Sequence, residues 1–160
     1  MSDRTVFLVN PASAGGSTRH RWPEISHRAA TRGLMGDALI SEEPGQLTGL
    51  AAEAVRTGAQ LLVVVGGDGS VNEVVNGIAG SDVELAVIPR GTGWDLARSL
   101  QIPRDLDAAV EVALSGEVRE IDLGLVSYRT WAGAEGRAHF ANVGSAGISG
   151  AIAKRANETS

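Results

Sequence analysis

The chain alternates short, unbroken apolar runs with segments in which apolar residues recur at helical spacing. The unbroken runs are residues 6–9, 61–65 and 85–88, with a weaker candidate at residues 38–40. Runs of this length without alternation are typical of strands buried on both faces of a parallel sheet. The pattern therefore predicts four strands in one buried sheet.

Helical periodicity fills most of the intervals between these strands. Apolar residues three or four positions apart occur in residues 47–55, 71–78 and 106–114. Alternating strands and helices favour an α/β sandwich with right-handed crossovers, in which ligands bind beyond the carboxyl ends of the strands. Three turns rich in glycine or small residues leave those ends: the first turn, residues 10–16; the second turn, residues 66–70; and the third turn, residues 90–93.

The pattern changes after Gly116. β-like segments at residues 118–121 and 139–143 flank the polar stretch 127–136, which predicts a hairpin. We place a boundary near residue 123, between an α/β domain of residues 1–123 and a β-rich second domain that begins at residues 124–160. The weakly patterned tail suggests a second domain that is truncated.

Composition narrows the class of protein. The 160 residues, 43% of them apolar, suit one hydrophobic core, and the net charge of -5 argues against a nucleic-acid partner. The absence of cysteine excludes disulfides and thiolate metal sites. The first residues do not resemble a signal peptide, and no apolar run approaches the length of a membrane span. We therefore expect a cytoplasmic protein in which any membrane contact is peripheral.

The lysine content restricts how the chain could bind phosphate. Lys154 is the only lysine, and it lies in neither a Walker A loop nor a protein-kinase strand motif. Any phosphate site must therefore use backbone amides, helix N-termini and arginine.

The second turn combines glycines with a single carboxylate. Ser70 and Glu73 have the spacing of a capping box, which predicts a helix that begins at Ser70 with its positive end toward the turn. Asp68 would repel a phosphate unless a cation such as Mg²⁺ lay between them. The alternative is that Asp68 only binds its own backbone in the turn and Glu73 only caps the helix.

The other turns carry weaker signals. Thr92 and Asp95 repeat the spacing of a helix cap, and Pro44 suits the first turn of a helix. Ser13 and Ser41 could donate to a ligand, or they could satisfy nearby backbone. Each turn alone is common in α/β proteins, but the second and third turns together, beyond sequential strands, indicate a phosphate ligand. The first turn could equally be a connecting loop.

Residues 66–77, GGDGSVNEVVNG, resemble the GGDGT-x-NE-x-x-NG motif of the diacylglycerol kinase catalytic domain family. Phosphofructokinases and NAD kinases share the GGDG core, but the asparagines that follow it favour lipid kinases. Further segments resemble the family in order and spacing: Asn10-Pro11-x-Ser13, Ser41-x-x-Pro44-Gly45, residues 89–98 of the form P-x-GTG-x-D-x-AR, and residues 121–124 and 140–147.

The resemblance implies a parallel-sheet sandwich similar to the N-terminal domain of NAD kinases and diacylglycerol kinases. It implies ATP and Mg²⁺ as cofactors and transfer of the γ-phosphoryl group to the hydroxyl of a diacylglycerol-like or sphingoid-like lipid. Asp68 and Asp95 would hold magnesium and act in catalysis. The nucleotide would contact Asn10, Pro11, Ala12, Ser13, Ala14, Ser41, Gly66, Gly67, Asp68, Gly69, Ser70, Val71, Asn72 and Thr92.

Three departures from the family keep other functions open. Trp94 replaces an asparagine and Ala14 a glycine, and family members carry a second domain that supplies the lipid site and the general base. The resemblance therefore implies a nucleotide-binding portion that is incomplete for catalysis, with apolar surface that favours a homodimer. The alternatives are an inactive nucleotide-binding regulatory module, or a kinase that acts on NAD or a sugar.

Overall fold

A computed structural model describes residues 4–91, 93–130 and 132–142. It contains six strands and five helices within these ranges. The strands are β1 (Thr5–Val9), β2 (Asp37–Ile40), β3 (Leu61–Gly66), β4 (Glu84–Pro89), β5 (Gly124–Arg129) and β6 (Glu135–Phe140). The helices are α1 (Ser17–Thr31), α2 (Gln46–Arg56), α3 (Asp68–Ile78), α4 (Asp95–Ser99) and α5 (Leu106–Ser115).

The first four strands form one parallel sheet in the order β2-β1-β3-β4. Val9 is in register with both Ile40 and Val65, and Gly66 is in register with Pro89, so the strands end together. The predicted α/β fold class and all four predicted strands are confirmed. This shared edge brings together the turns that follow β1, β3 and β4.

Helices cover both faces of the sheet because its central strands, β1 and β3, carry buried apolar side chains on both sides. Val6, Leu8, Leu62 and Val64 pack with α2 and α3 on one face. On the other face, Phe7, Val9, Val63 and Val65 pack with Ile25 and Ala29 of α1 and Val110 of α5. Full burial of such a side chain stabilises the fold by about 1.5–3 kcal/mol relative to leaving it exposed. The sheet is therefore a rigid support for the turns at its edge.

A second, two-stranded antiparallel sheet is formed by β5 and β6. The predicted hairpin is present, but both of its strands were misplaced. The first begins at Gly124 and not at residues 118–121, and the second begins at Glu135 and not at His139, so much of the polar stretch 127–136 is strand. The register is set by the tight connection, in which Thr130 N donates to Ala134 O at 2.8 Å and Gly133 has a φ of 86°. Val118 instead lies exposed. The domain boundary near residue 123 stays a prediction.

No helix in the described ranges is long and apolar enough to cross a bilayer.

Candidate functional site

The second and third turns are in backbone contact at the carboxyl edge of the sheet. Arg90 N donates to Gly66 O at 2.7 Å. A Cβ atom built on Gly91 would lie only 2.8 Å from the Cα atom of Gly67. Because real Cβ atoms do not approach so closely, the two turns can meet in this way only if residue 91 is glycine. A Cβ atom built on Gly67 would be less crowded, at 3.3 Å from the Cα atom of Gly91.

The N-terminus of α3 lies at this junction and has no side-chain cap. The first backbone bond of the helix is from Val71 N to Gly67 O at 3.1 Å. The amides of Asp68, Gly69 and Ser70 therefore precede the first intrahelical bond, and they carry the positive end of the helix dipole. An uncapped first turn of this kind is suited to an anion.

The predicted capping box of Ser70 and Glu73 was wrong, because α3 begins two residues earlier, at Asp68. Ser70 is buried inside the helix, and its hydroxyl accepts a hydrogen bond from Asn10 Nδ2 at 2.9 Å. Glu73 caps the neighbouring helix instead, since its Oε2 accepts from Leu47 N at 3.2 Å near the start of α2. Pro44 lies before the Gly45 N-cap of α2, not in its first turn.

Gly69 is exposed in the first turn of α3. A Cβ atom built on it would have no neighbour within 4 Å, and its φ is not in the left-handed region. Packing and backbone conformation therefore do not demand glycine at this position. Open space in front of free amides is what a ligand that approaches the backbone closely would require.

Asp68 connects α3 to α4. Its Oδ1 accepts from Leu96 N at 3.1 Å and its Oδ2 accepts from Asp95 N at 3.3 Å. The carboxylate thus caps α4, whose N-cap residue is Trp94. The alternative role for Asp68, bonding its own turn, was wrong, and so was the cap expected from the Thr92 and Asp95 spacing, because Asp95 is the first residue of the helix. Thr92 itself lies outside the described residues.

The carboxylates of Asp68 and Asp95 flank Gly93. A Cβ atom built on Gly93 would lie 2.6 Å from Asp68 Oδ2 and 3.8 Å from Asp95 Oδ2. Asp95 is exposed and also pairs with Arg98 at 3.3 Å. The described part of the chain contains no group of three or more acidic or histidine side chains that could hold a metal by themselves. One or two carboxylates completed by phosphate oxygens and water are, however, the usual environment of Mg²⁺, so this pair fits the ion.

Trp94 fills the space between the glycine turns and α4. Its Nε1 donates to Gly91 O, and the guanidinium carbon of Arg104 lies 4.5 Å from the centre of the ring. The cavity that it encloses with Gly67 and Asp68 measures about 10 Å³, enough for roughly one water molecule. Trp94 has a φ of 63°. Asparagine adopts this left-handed conformation more readily than tryptophan.

The first turn is held by its own polar groups. Asn10 Oδ1 accepts from Ala12 N at 3.0 Å, while Ser13 Oγ donates to Asn10 O at 2.8 Å and lies 2.7 Å from Thr18 Oγ1. Ala14 has a φ of 53°, a conformation that suits the glycine of the family better. Since the side chains of Asn10 and Ser13 are bonded within the turn and to α3 and α1, a ligand here would meet mostly backbone.

Three further residues of the proposed nucleotide shell have other contacts. Ser41 is buried, and its N and Oγ both donate to Val9 O, at 2.9 and 3.4 Å. Val71 is part of the core on the α2 and α3 face of the sheet. Asn72 Oδ1 accepts from Ala141 N at 3.3 Å. Their contact with a nucleotide stays a prediction.

Arg90 was not among the site residues proposed from sequence, although the lack of lysine pointed to arginine. Its Nη2 donates to Ser17 Oγ at 3.3 Å, in the first turn of α1. Its Nε is buried without a hydrogen-bond partner. Burial, together with the nearby positive charge of Arg21, lowers the pKa of Arg90. A half-buried cation without a carboxylate partner in the described ranges would be stabilised by an anion at this edge.

Comparison with known proteins shows the family of this chain. Residues 4–126 match the family described as the diacylglycerol kinase catalytic domain. Diacylglycerol kinases of Staphylococcus saprophyticus and Staphylococcus carnosus are 31% and 33% identical over 131 residues, which are 81% of this chain and 43% of each relative.

A solved structure of a putative diacylglycerol kinase from Bacillus anthracis is also similar. It aligns with a TM-score of 0.67 and 28% identity over 78% of this chain and 45% of that protein. The chain thus spans less than half the length of these relatives. Because the family match covers most of its residues, the chain belongs to the diacylglycerol kinase catalytic domain family.

Proposed function

We propose that this chain is the nucleotide-binding part of an ATP-dependent lipid kinase, which transfers the γ-phosphoryl group of ATP to a lipid hydroxyl. The observation that carries the proposal is the uncapped first turn of α3, with open space before Gly69 and a carboxylate pair beside it. The family match favours a lipid acceptor over NAD or a sugar.

In this proposal the backbone provides most of the phosphate contacts. The amides of Gly69 and Ser70 donate to phosphate oxygens, and the dipole of α3 stabilises their negative charge. Arg90 adds the positive charge that lysine supplies in Walker A proteins. Asp68 and Asp95 would hold Mg²⁺, which when bound would neutralise part of the phosphate charge. Positioning and charge neutralisation of this kind account for most of the catalysis of phosphoryl transfer.

The remaining nucleotide contacts follow from the same edge of the sheet. Residues 10–14, Ser41, residues 66–72 and Thr92 surround the nucleotide in this proposal. Because the side chains of Asn10 and Ser13 are bonded within the protein, their contribution is to hold the first turn in shape.

The acceptor and partners are also proposals. The curated relatives are named diacylglycerol kinases, which supports a diacylglycerol-like lipid, with a sphingoid-like lipid as the related choice. A lipid acceptor requires peripheral contact with a membrane, and we place the protein on the cytoplasmic side. Exposed Leu125, Val126 and Tyr128 on β5 are apolar surface that supports a homodimer of this chain.

Calorimetric titration with ATP tests the nucleotide site. With millimolar Mg²⁺ we expect a Kd below about 1 mM, equivalent to at least about 4 kcal/mol of binding free energy. Removing Mg²⁺ with a chelator should weaken binding about tenfold or more, because the triphosphate then faces two carboxylates without a cation. Absence of ATP binding at every Mg²⁺ concentration would contradict the proposal.

A second candidate function, an inactive regulatory module that binds nucleotide weakly, is favoured by the position of Trp94. The indole occupies the space beside the glycine turns, and a nucleotide that entered there would displace it from Gly91 and Arg104. Displacement would lose a hydrogen bond and a cation–π contact, each worth about 1 kcal/mol.

Replacing Trp94 with asparagine distinguishes the two candidates. We expect Trp94→Asn to bind ATP about three to ten times more tightly, because the smaller side chain opens the cavity and suits the left-handed backbone. Trp22→Phe is the matched control, since Trp22 packs on Phe7 at a ring distance of 5.5 Å, away from the turns. Unchanged affinity in Trp94→Asn would remove the support for a module blocked by its tryptophan.

A further inference from the structure

Two asparagines on α3 form hydrogen bonds with the backbone of β6. Asn76 Oδ1 accepts from His139 N at 2.7 Å, and Asn76 Nδ2 donates to His139 O at 2.9 Å. Asn72 Oδ1 accepts from Ala141 N at 3.3 Å. The small sheet is thus attached to α3 by side-chain amides that bind main chain, independently of the side chains that β6 carries.

The spacing of the two asparagines matches the spacing of their partners. Residues four apart on a helix are separated by about 6 Å along its axis. Residues two apart on a strand, as His139 and Ala141 are, are separated by about 6.7 Å. The distance between the two asparagines along α3 is therefore close to the distance between His139 and Ala141 along β6, so both asparagines can bind the strand at once.

The edge of β6 that they bind is the one that faces away from β5. Leu125 is opposite His139 in the antiparallel pair. Since both backbone groups of His139 bond to Asn76, this is a non-hydrogen-bonded pair whose N–H and C=O point outward. Such an edge is otherwise open to pairing with another strand, and the asparagines cover it.

The amide of Asn76 has no donor left for another partner. Its Nδ2 also donates to Asn72 O at 2.8 Å, so both hydrogens and the oxygen are engaged. Gly77, the next residue, fits α3 against α2, because a Cβ atom built on it would lie 3.0 Å from Ala51 Cβ and closer still to Thr48 O. The Asn76-Gly77 pair therefore attaches one end of α3 to both neighbours.

We propose that Asn72 and Asn76 are positioning residues that determine where the second sheet docks on the α/β domain. Asn76 supplies the specific contact, because it both donates to and accepts from one strand residue. Eight residues separate it from Asp68, so α3 holds β6 about 12 Å along its axis from the first turn that we assign to phosphate. The oxygen of Asn72 serves β6, and only its Nδ2 is left for a nucleotide. The assignment rests on the fold and is independent of nucleotide binding.

Site-resolved amide hydrogen exchange, measured by NMR on the whole chain, tests this inference with two isosteric variants. Asn76→Asp loses the donors to His139 O and Asn72 O, so we expect exchange at His139 and Ala141 to rise about tenfold. Asn72→Asp keeps the acceptor for Ala141 N and adds the same charge to the same helix. We expect it to change β6 exchange by less than about twofold.

The amides of Val74 and Val75 report on α3 itself, and a residue that only stabilised the helix would change them together with β6. If Asn76→Asp also raises exchange at Val74 and Val75, Asn76→Gln separates the docking of β6 from the stability of α3. Glutamine is neutral and compatible with a helix, but its side chain is one methylene too long to bind His139 in the same way. Faster exchange at His139 in Asn76→Gln, with Val74 and Val75 unchanged, supports the proposal. Wild-type exchange at His139 in Asn76→Gln, or an equal rise in both aspartate variants, overturns it.

Discussion

Replacing Gly69 with alanine is expected to weaken ATP binding strongly while leaving the fold as stable as before or more so. The new Cβ atom meets nothing within 4 Å, and alanine is favoured over glycine in a helix by about 0.5–1 kcal/mol. The methyl group would, however, stand before the free amides of Asp68, Gly69 and Ser70, where a phosphate oxygen must approach. We expect affinity to fall at least thirtyfold, or by about 2 kcal/mol.

Gly49→Ala is the matched control for this experiment. Gly49 is an exposed glycine within α2, and a Cβ atom built on it also meets nothing within 4 Å. Its replacement should raise the free energy of unfolding by a similar amount and leave ATP affinity unchanged. Urea denaturation and calorimetry of both variants separate stability from binding. ATP binding by Gly69→Ala at the wild-type affinity would place the nucleotide elsewhere.

Asp68→Asn is expected to impair both stability and the magnesium dependence of binding. The carboxylate accepts hydrogen bonds from Asp95 N and Leu96 N. An amide can accept only through its oxygen, so its NH₂ group would face one of these donors. Loss of a helix cap costs about 1–2 kcal/mol, and we expect the free energy of unfolding to fall by this amount without nucleotide.

The metal contribution of Asp68 is measured separately, as the ratio of ATP affinities with Mg²⁺ and with a chelator. We expect this ratio to fall from about tenfold or more toward one in Asp68→Asn, since the charge that a cation would bridge is gone. Asp95→Asn is the control for stability, because Asp95 is exposed and its pair with Arg98 contributes less than about 1 kcal/mol. If the ratio of ATP affinities with and without Mg²⁺ is unchanged in Asp68→Asn, the role of Asp68 is only to cap α4.

Much of the fold could be predicted because the relevant signal is local. Four strands and the helices α2, α3 and α5 were visible as apolar runs and helical periodicity, since a strand buried on both faces must be apolar at every position. Helix α1 carried no such signal. Its sequence is largely polar, and only a few residues, among them Ile25 and Ala29, are fully buried. The three turns were recognisable because glycine marks places where backbone must turn or approach closely.

The partners of the polar groups could not be predicted in the same way. Asp68 caps α4 and Glu73 contacts the start of α2, so each serves a helix other than its own. A capping motif read from sequence presumes that the side chain bonds within its own turn. For this reason the starts of α3 and α4 were predicted wrongly. Arg90 was missed as a site residue because its neighbour Ser17 is 73 positions away in the sequence.

The sequence by itself determined the order of elements, the glycine turns and the family motif, because each depends on residues that are neighbours along the chain. Tertiary structure alone decided that Gly67 meets Gly91, that the oxygens of Asp68 are shared with α4, and that Asn76 binds β6. Hydrophobic periodicity is a property of a segment. Hydrogen bonds are instead formed with whichever donor or acceptor the packed sheet and helices bring near.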